Sequence, residues 1–94
     1  MSTILHDLAA VIAARTAEPS ADSYTAQLLA DTELNQRKIM EEAFEVCLEL
    51  GRDQIDHDLI ANEAADLVYH LMVGMAGAGV DPTAFLGVLE GRRS

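Results

Sequence analysis

Two carboxylate-rich stretches constrain what this chain can fold into more than any other feature; they are KIMEEAFEVCLEL at residues 38–50 and NEAADLVYHL at residues 62–71. Each contains a pair of acidic residues three positions apart, Glu42 with Glu45 and Glu63 with Asp66. Residues with this spacing share one face of an α-helix, and the apolar residues beside them also recur with the helical period. The two stretches are therefore predicted to be neighbouring helices on which the acidic pairs converge.

The composition and the remaining periodicity favour an all-α fold. Half of the 94 residues are apolar but only 4% are aromatic, a balance that suits helix packing better than a sheet. Apolar residues recur at helical spacing in five segments. These are residues 3–15, 23–31, 33–50 and 54–76, and a short one that Asp81 caps with Pro82 as its first residue. We predict one all-α domain over residues 1–94, a helical bundle of two long and about three shorter helices.

The fourth predicted helix indicates that a second copy of the chain completes the bundle. It is apolar nearly all round between Leu67 and Ala76, which is typical of a helix buried against more than one partner. A chain of this length buries only a modest fraction of its own surface, so a second subunit would stabilise it. We therefore expect a homodimer.

The net charge of −10 excludes several classes of partner. Binding to DNA or RNA needs a basic surface that meets the phosphate backbone, so nucleic acid is not expected as a partner. An anionic membrane surface is excluded for the same reason, and no apolar run reaches the roughly twenty residues that span a bilayer. We therefore expect a soluble, cytoplasmic protein. A small phosphorylated ligand is still compatible with this charge, because a bound divalent cation inverts the local field.

The chain has a single cysteine, Cys47, so it can form neither an internal disulfide nor a cysteine cluster for zinc. Its apolar neighbours predict a buried thiol that packs as a small hydrophobic side chain. Its expected role is therefore structural.

The two acidic pairs point to a divalent cation. Carboxylates this close raise one another's pKa unless a cation lies between them. Mg²⁺, or Mn²⁺ as the alternative, prefers such oxygen ligands and keeps positions open for water and phosphate. The candidate ligands are Glu42, Glu45, Glu63 and Asp66. The spacing alone leaves open a second interpretation, in which the acids are solvated and the chain is a metal-free helical dimerisation module.

A dinuclear iron site fits the pattern less well. Helical bundles of that kind use Glu-x-x-His pairs, whereas His70 follows Asp66 by four residues. His70 is instead expected to be a core histidine with satisfied hydrogen bonds, the alternative being a hydrogen bond to a ligand carboxylate.

Four segments carry a more specific pattern; they are SYTAQLLAD at 23–31, KIMEEAFEV at 38–46, NEAADLVYHLMV at 62–73 and LEGRR at 89–93. The sequence Glu-Glu-x-x-Glu followed by Glu-x-x-Asp resembles the all-α nucleoside triphosphate pyrophosphohydrolases. Within that group, the SYT stretch, the YHL run and the GRR end resemble the phosphoribosyl-ATP pyrophosphatase family of histidine biosynthesis. The resemblance covers residues 4–93.

The resemblance implies magnesium-dependent hydrolysis of the α–β phosphoanhydride of phosphoribosyl-ATP, which yields phosphoribosyl-AMP and pyrophosphate in the second step of histidine biosynthesis. It also implies roles for residues of this chain. The catalytic residues would be Glu41, Glu42 and Glu45, with Glu41 as a base for water, and the metal ligands would be Glu42, Glu45, Glu63 and Asp66. The substrate-binding residues would be Tyr24, Thr25, Lys38, Arg92 and Arg93, the arginines reaching phosphate of the neighbouring subunit.

One position departs from this family pattern. A lysine is expected near position 27, where this chain has Gln27. A related pyrophosphohydrolase that acts on dUTP, dCTP or another nucleotide is the alternative explanation of the same carboxylate pattern.

Overall fold

The computed structural model describes residues 4–20 and 22–93, and within them it contains five α-helices and no strand. The prediction of an all-α fold is therefore confirmed. Residue 3, the predicted start of the first helix, lies outside the described residues. The helices, in chain order, are α1 (Ile4–Ala17), α2 (Tyr24–Ala30), α3 (Thr32–Leu50), α4 (His57–Gly77) and α5 (Ala84–Arg92).

Short polar side chains begin three of the helices. Ser23, Asp31 and Asp56 each accept a hydrogen bond from the backbone N–H three residues further on, at 3.1, 3.1 and 3.0 Å. These bonds satisfy N–H groups that the first turn of a helix leaves unpaired. Because Asp56 is the cap, α4 begins at His57 and not at residue 54 as predicted.

The start of α5 differs from the prediction. The helix begins at Ala84, so Pro82 is not its first residue. The Asp81 carboxylate accepts hydrogen bonds from the backbone N–H and the hydroxyl of Thr83, at 2.9 and 2.8 Å. Aspartate commonly bonds the backbone two residues ahead in this way, and here the bond closes a turn before the helix begins. The same hydrogen bonds lower the pKa of Asp81.

The core lies where α1 and α2 pack against α4. Its fully buried side chains come from these three helices and are Ile12, Leu28, Met72 and Val73. On another side of α4, α3 packs along it in the most extensive helix pair of the fold. The two helices that carry the predicted acidic pairs are therefore direct neighbours.

Gly74 allows α3 and α4 to approach closely. A Cβ atom at this position would lie 3.0 Å from Nδ2 of Asn35 and 3.3 Å from Cδ1 of Ile39. Both distances are shorter than ordinary carbon contacts. The glycine therefore fixes the separation of the two helices, which in turn positions the side chains that they share.

Much apolar surface stays exposed in the single chain. On α3, Met40 and Phe44 are each 64% exposed, and Cys47 is exposed as well. The prediction of a buried thiol at Cys47 is thus wrong for this chain, because no described helix covers that face of α3. The homodimer and the single domain over residues 1–94 both stay predictions. None of the described helices is long and apolar enough to cross a membrane.

Candidate functional site

The packing of α3 on α4 brings three of the predicted carboxylates together. Glu42 and Glu45 from α3 and Glu63 from α4 each offer an oxygen, and the three oxygens lie within 4.8 Å of one another. Glu42 and Glu63 are half-buried, whereas Glu45 is exposed. We call these three residues the carboxylate cluster.

The carboxylate cluster carries unfavourable electrostatics. A hydrogen bond with the Glu45 side chain, followed by desolvation and nearby negative charge, raises the pKa of Glu63 to about 7. Burial, followed by the charge of Glu45, raises the pKa of Glu42. In addition, Oε2 of Glu42 is buried and has no hydrogen-bond partner. The cluster therefore favours a positive species, either a shared proton or a bound cation.

A hard divalent cation fits this set of donors. All three residues offer carboxylate oxygens, the ligands that Mg²⁺ and Mn²⁺ prefer. The unpartnered oxygen of Glu42 would gain a partner, and the mutual repulsion that raises the pKa of Glu63 would be relieved. The group contains no histidine or cysteine to favour a softer metal.

Asp66, the fourth predicted ligand, lies outside the carboxylate cluster. It is exposed on α4, yet its charge contributes to the raised pKa of both Glu42 and Glu63. Asp66 is therefore a neighbour of the cluster, although its oxygens are not among those that lie within 4.8 Å of one another.

Glu41 and Lys38 shortly precede Glu42 in the sequence, and their side chains lie next to each other. Lys38 Nζ is 3.5 Å from a carboxylate oxygen of Glu41. Glu41 is exposed and does not belong to the cluster. Both side chains are accessible to a ligand, and an exposed pair of this kind contributes little to stability.

Tyr24 borders the carboxylate cluster from α2. Burial raises the pKa of Tyr24, the charge of Lys38 acts in the opposite direction, and Glu42 and Asp66 add to the rise. Tyr24 is 45% exposed. The Tyr24 hydroxyl is thus close enough to both the acids and Lys38 to sense their charges.

Polar contacts between α2 and α4 tie Tyr24 and its neighbour Thr25 in place. The hydroxyls of Thr25 and Tyr69 are hydrogen-bonded at 2.5 Å, and the Tyr24 hydroxyl lies 3.0 Å from Nε2 of His70. His70 is buried, as predicted for a core histidine. Tyr69 begins the YHL run that carries part of the family resemblance, but its contact with Thr25 on α2 is not evident from the sequence.

The structure does not bring the two C-terminal arginines to the carboxylate cluster within the single chain. Arg92 ends α5, and Arg93 pairs with Glu90. Among the described residues, no Cα atom of α5 lies within 8 Å of one in another helix. Contact of either arginine with phosphate stays a prediction.

Comparison of the sequence with known proteins gives matches to one family. The sequence model for phosphoribosyl-ATP pyrophosphohydrolase matches residues 5–93. Three similar proteins are named phosphoribosyl-ATP pyrophosphatase. The Halobacterium salinarum protein is 39% identical over 99% of this chain and 100% of its own length. The Cereibacter sphaeroides protein is 42% identical over 96% of this chain and 86% of its own length. The Caulobacter vibrioides protein is 39% identical over 98% of this chain and 84% of its own length. No solved structure matches the chain significantly.

Proposed function

The chain belongs to the phosphoribosyl-ATP pyrophosphohydrolase family, and we propose that it hydrolyses phosphoribosyl-ATP to phosphoribosyl-AMP and pyrophosphate. The bond cleaved is the α–β phosphoanhydride, and the reaction is the second step of histidine biosynthesis. The observation that carries this proposal is the family match over residues 5–93. The carboxylate cluster supports it, because it lies on the two segments that contain the family's acidic pattern.

The carboxylate cluster would hold the cation, with Mg²⁺ first and Mn²⁺ as the alternative. Glu42, Glu45 and Glu63 would be ligands, and Asp66, whose charge acts on Glu42 and Glu63, would complete the set or bind a water of the metal. A bound cation would neutralise triphosphate oxygens and the charge that develops on the departing pyrophosphate. Such a cation is needed on charge grounds, since a polyanionic substrate approaches a chain of net charge −10.

The other residues at this site would bind phosphate and activate water. Lys38 would exchange its exposed pairing with Glu41 for a phosphate oxygen. Glu41 is then free to accept a proton from the attacking water, and Glu42 and Glu45 would orient that water. Tyr24 and Thr25 are held by hydrogen bonds to α4 at the edge of the cluster, where they would contact the substrate.

A homodimer would complete the site. The exposed apolar side chains of α3, among them Met40 and Phe44, and the exposed Val88 and Leu89 of α5 would be buried between two copies. In such an assembly α5 of one subunit would carry Arg92 and Arg93 towards phosphate bound to the other. The protein would act in the cytoplasm, where its nucleotide substrate is made.

Chromatography of the reaction products tests the proposal directly. The full-length chain is incubated with phosphoribosyl-ATP and Mg²⁺, and with dUTP and dCTP in parallel. We expect phosphoribosyl-AMP and pyrophosphate from the first substrate and little product from the others. Release of orthophosphate would mean that a different bond is cleaved, and preference for dUTP or dCTP would assign the chain a different substrate.

A further inference from the structure

A buried histidine connects the backbone of α4 to Tyr24 on α2 through its two ring nitrogens. His70 is only 5% exposed. Its Nδ1 lies 2.7 Å from the backbone oxygen of Asp66, one turn earlier in α4, and its Nε2 lies 3.0 Å from the hydroxyl of Tyr24. The imidazole thus has a partner on each side and is held in one orientation.

The two partners determine where the hydrogens lie. The Asp66 carbonyl can only accept, so Nδ1 of His70 must carry a hydrogen. In the uncharged imidazole the other nitrogen, Nε2, is then an acceptor. In this uncharged state the Tyr24 hydroxyl donates to Nε2, because an acceptor cannot bond to another acceptor.

This arrangement leaves the Tyr24 oxygen with lone pairs only. A phenol has one hydrogen, and here that hydrogen is directed at His70. A phosphate oxygen also offers only lone pairs and would be repelled. The groups of a nucleotide that can approach are its donors, the ribose hydroxyls and the adenine amino group.

The surroundings of Tyr24 hold the hydroxyl in this position. One face of its ring stacks on Tyr69, with centroids 6.2 Å apart and an interplanar angle of 20°. Tyr69 is itself hydrogen-bonded to Thr25. Tyr24 is nonetheless 45% exposed, so a ligand can reach it beside the acids and Lys38.

The backbone of His70 is fixed as firmly as its ring. Nδ2 of Asn35 on α3 donates to the carbonyl oxygen of His70 at 3.1 Å, and Asn35 is only 3% exposed. The same amide occupies the space that a Cβ at Gly74 would need. The contact that sets the spacing of α3 and α4 therefore also positions His70 relative to the carboxylate cluster.

We propose that His70 is a positioning residue that commits the Tyr24 hydroxyl to act as a hydrogen-bond acceptor, so that Tyr24 recognises a ribose hydroxyl or the adenine amino group and not phosphate. This proposal rests on the proposed function, since it assumes a nucleotide at the carboxylate cluster. It assigns Tyr24 to the nucleoside part of the substrate and leaves phosphate to Lys38, the arginines and the cation.

The first test is spectroscopic and does not need catalysis. Long-range ¹H–¹⁵N NMR of the full-length protein at mildly alkaline pH, with and without Mg²⁺, reports which nitrogen of His70 is protonated. We expect hydrogen on Nδ1 and none on Nε2, and the Nε2 signal should move in Tyr24→Phe but not in Tyr69→Phe. Hydrogen on Nε2 would overturn the proposal, because Tyr24 would then be free to donate to phosphate.

The second test separates nucleoside from phosphate recognition. In Tyr24→Phe we expect KM for phosphoribosyl-ATP to rise about five- to tenfold, the loss of one hydrogen bond, without a comparable fall in kcat. The inhibition constant of inorganic tripolyphosphate, which lacks ribose and base, should not change. An equal loss of affinity for tripolyphosphate would show that Tyr24 binds phosphate and would contradict the proposal.

Variants of His70 distinguish positioning from a purely structural role. His70→Phe should raise KM as Tyr24→Phe does, but it should add little when Tyr24 is already phenylalanine. His70→Gln, whose side-chain oxygen can accept from Tyr24, should restore part of the loss. If His70→Phe is equally harmful in both backgrounds, His70 does not act through Tyr24. If the wild type releases no pyrophosphate from phosphoribosyl-ATP, the proposed function fails, and the NMR result still decides the state of His70.

Discussion

The carboxylate cluster and the C-terminal helix contrast in what holds them in place. Glu42, Glu45 and Glu63 lie on α3 and α4, which form the most extensive helix pair in the fold. By contrast, α5 has no buried residue and no Cα atom within 8 Å of another described helix. The chain thus builds the proposed cation site by itself, whereas its two C-terminal arginines need a surface that the single chain does not supply.

This contrast indicates which parts of the site should depend on assembly. Changes in the carboxylate cluster should act within one subunit and should not depend on protein concentration. Substitutions in α5 should act through the neighbouring subunit, so the size of their effect on activity should depend on protein concentration.

The largest effect is expected from Glu42→Gln. The substitution removes the charge of a half-buried carboxylate, one oxygen of which is buried without a partner, while it preserves the shape of the side chain. We expect kcat to fall by at least about a hundredfold, with unchanged helicity by circular dichroism. Glu33→Gln, an exposed substitution in the first turn of the same helix, is the matched control. Near-normal turnover of Glu42→Gln at limiting Mg²⁺ would remove Glu42 from the site.

Asp66→Asn should have a smaller effect than Glu42→Gln. Asp66 is exposed and lies outside the carboxylate cluster, so its loss should weaken the cation site without removing it. We expect about a tenfold to hundredfold loss of activity, part of which is recovered at higher Mg²⁺. Asp58→Asn, also exposed and on α4, should leave the Mg²⁺ requirement unchanged. A loss as large as that of Glu42→Gln would make Asp66 a direct ligand.

Arg92→Ala tests the other side of the comparison. Losing a charge-assisted hydrogen bond to phosphate should raise KM about tenfold, with little change in the Mg²⁺ requirement. Arg15→Ala is matched to it, since each arginine lies in the last turn of its helix. The effect of Arg92→Ala should appear in the enzyme kinetics. Val88→Ala removes apolar burial from the proposed dimer interface, so its effect should appear in sedimentation as a weaker dimer. Equal KM values for both arginine variants would break the assignment of Arg92 to phosphate.

The smallest effect concerns pH in the absence of metal. The pKa of Glu63 is raised to about 7 from its ordinary value of 4.5, so the folded chain binds more protons than the unfolded chain between these values. The stability that this proton contributes is present below the lower pKa and is lost as pH rises through about 7. In EDTA, Tm of the wild type should therefore fall over this range more than Tm of Glu63→Gln. If Tm changes with pH in the same way in the two proteins, the raised pKa of Glu63 is contradicted.

The periodicity of the sequence was enough to predict the five helices and the pairing of the two acidic segments. An i, i+3 spacing fixes which residues share a face, and the flanking apolar residues fix which faces pack. Spacing cannot predict how one helix packs against another, so it could not show that Glu63 joins the carboxylate cluster while Asp66 does not.

The link from His70 to Tyr24 was beyond the sequence for a related reason. The two residues are 46 positions apart, and their contact depends on how α2 crosses α4, which no local pattern records. The buried state of Cys47 was predicted from apolar neighbours, but those neighbours form a face that the single chain leaves open. The local sequence pattern was enough to predict the helices, whereas the contacts between distant side chains depend on how the helices pack.

Thermal unfolding with and without Mg²⁺ tests most directly the claim that the carboxylate cluster holds a divalent cation. A cation that binds only the folded chain, at about a hundred times its Kd, contributes about 2.7 kcal/mol, which raises Tm by roughly 10–20 °C in a domain of this size. We expect such a rise for the wild type and for Glu33→Gln, and none for Glu42→Gln. The same Tm in Mg²⁺ and in EDTA for the wild type would mean that the acids are simply solvated and that the carboxylate cluster holds no divalent cation.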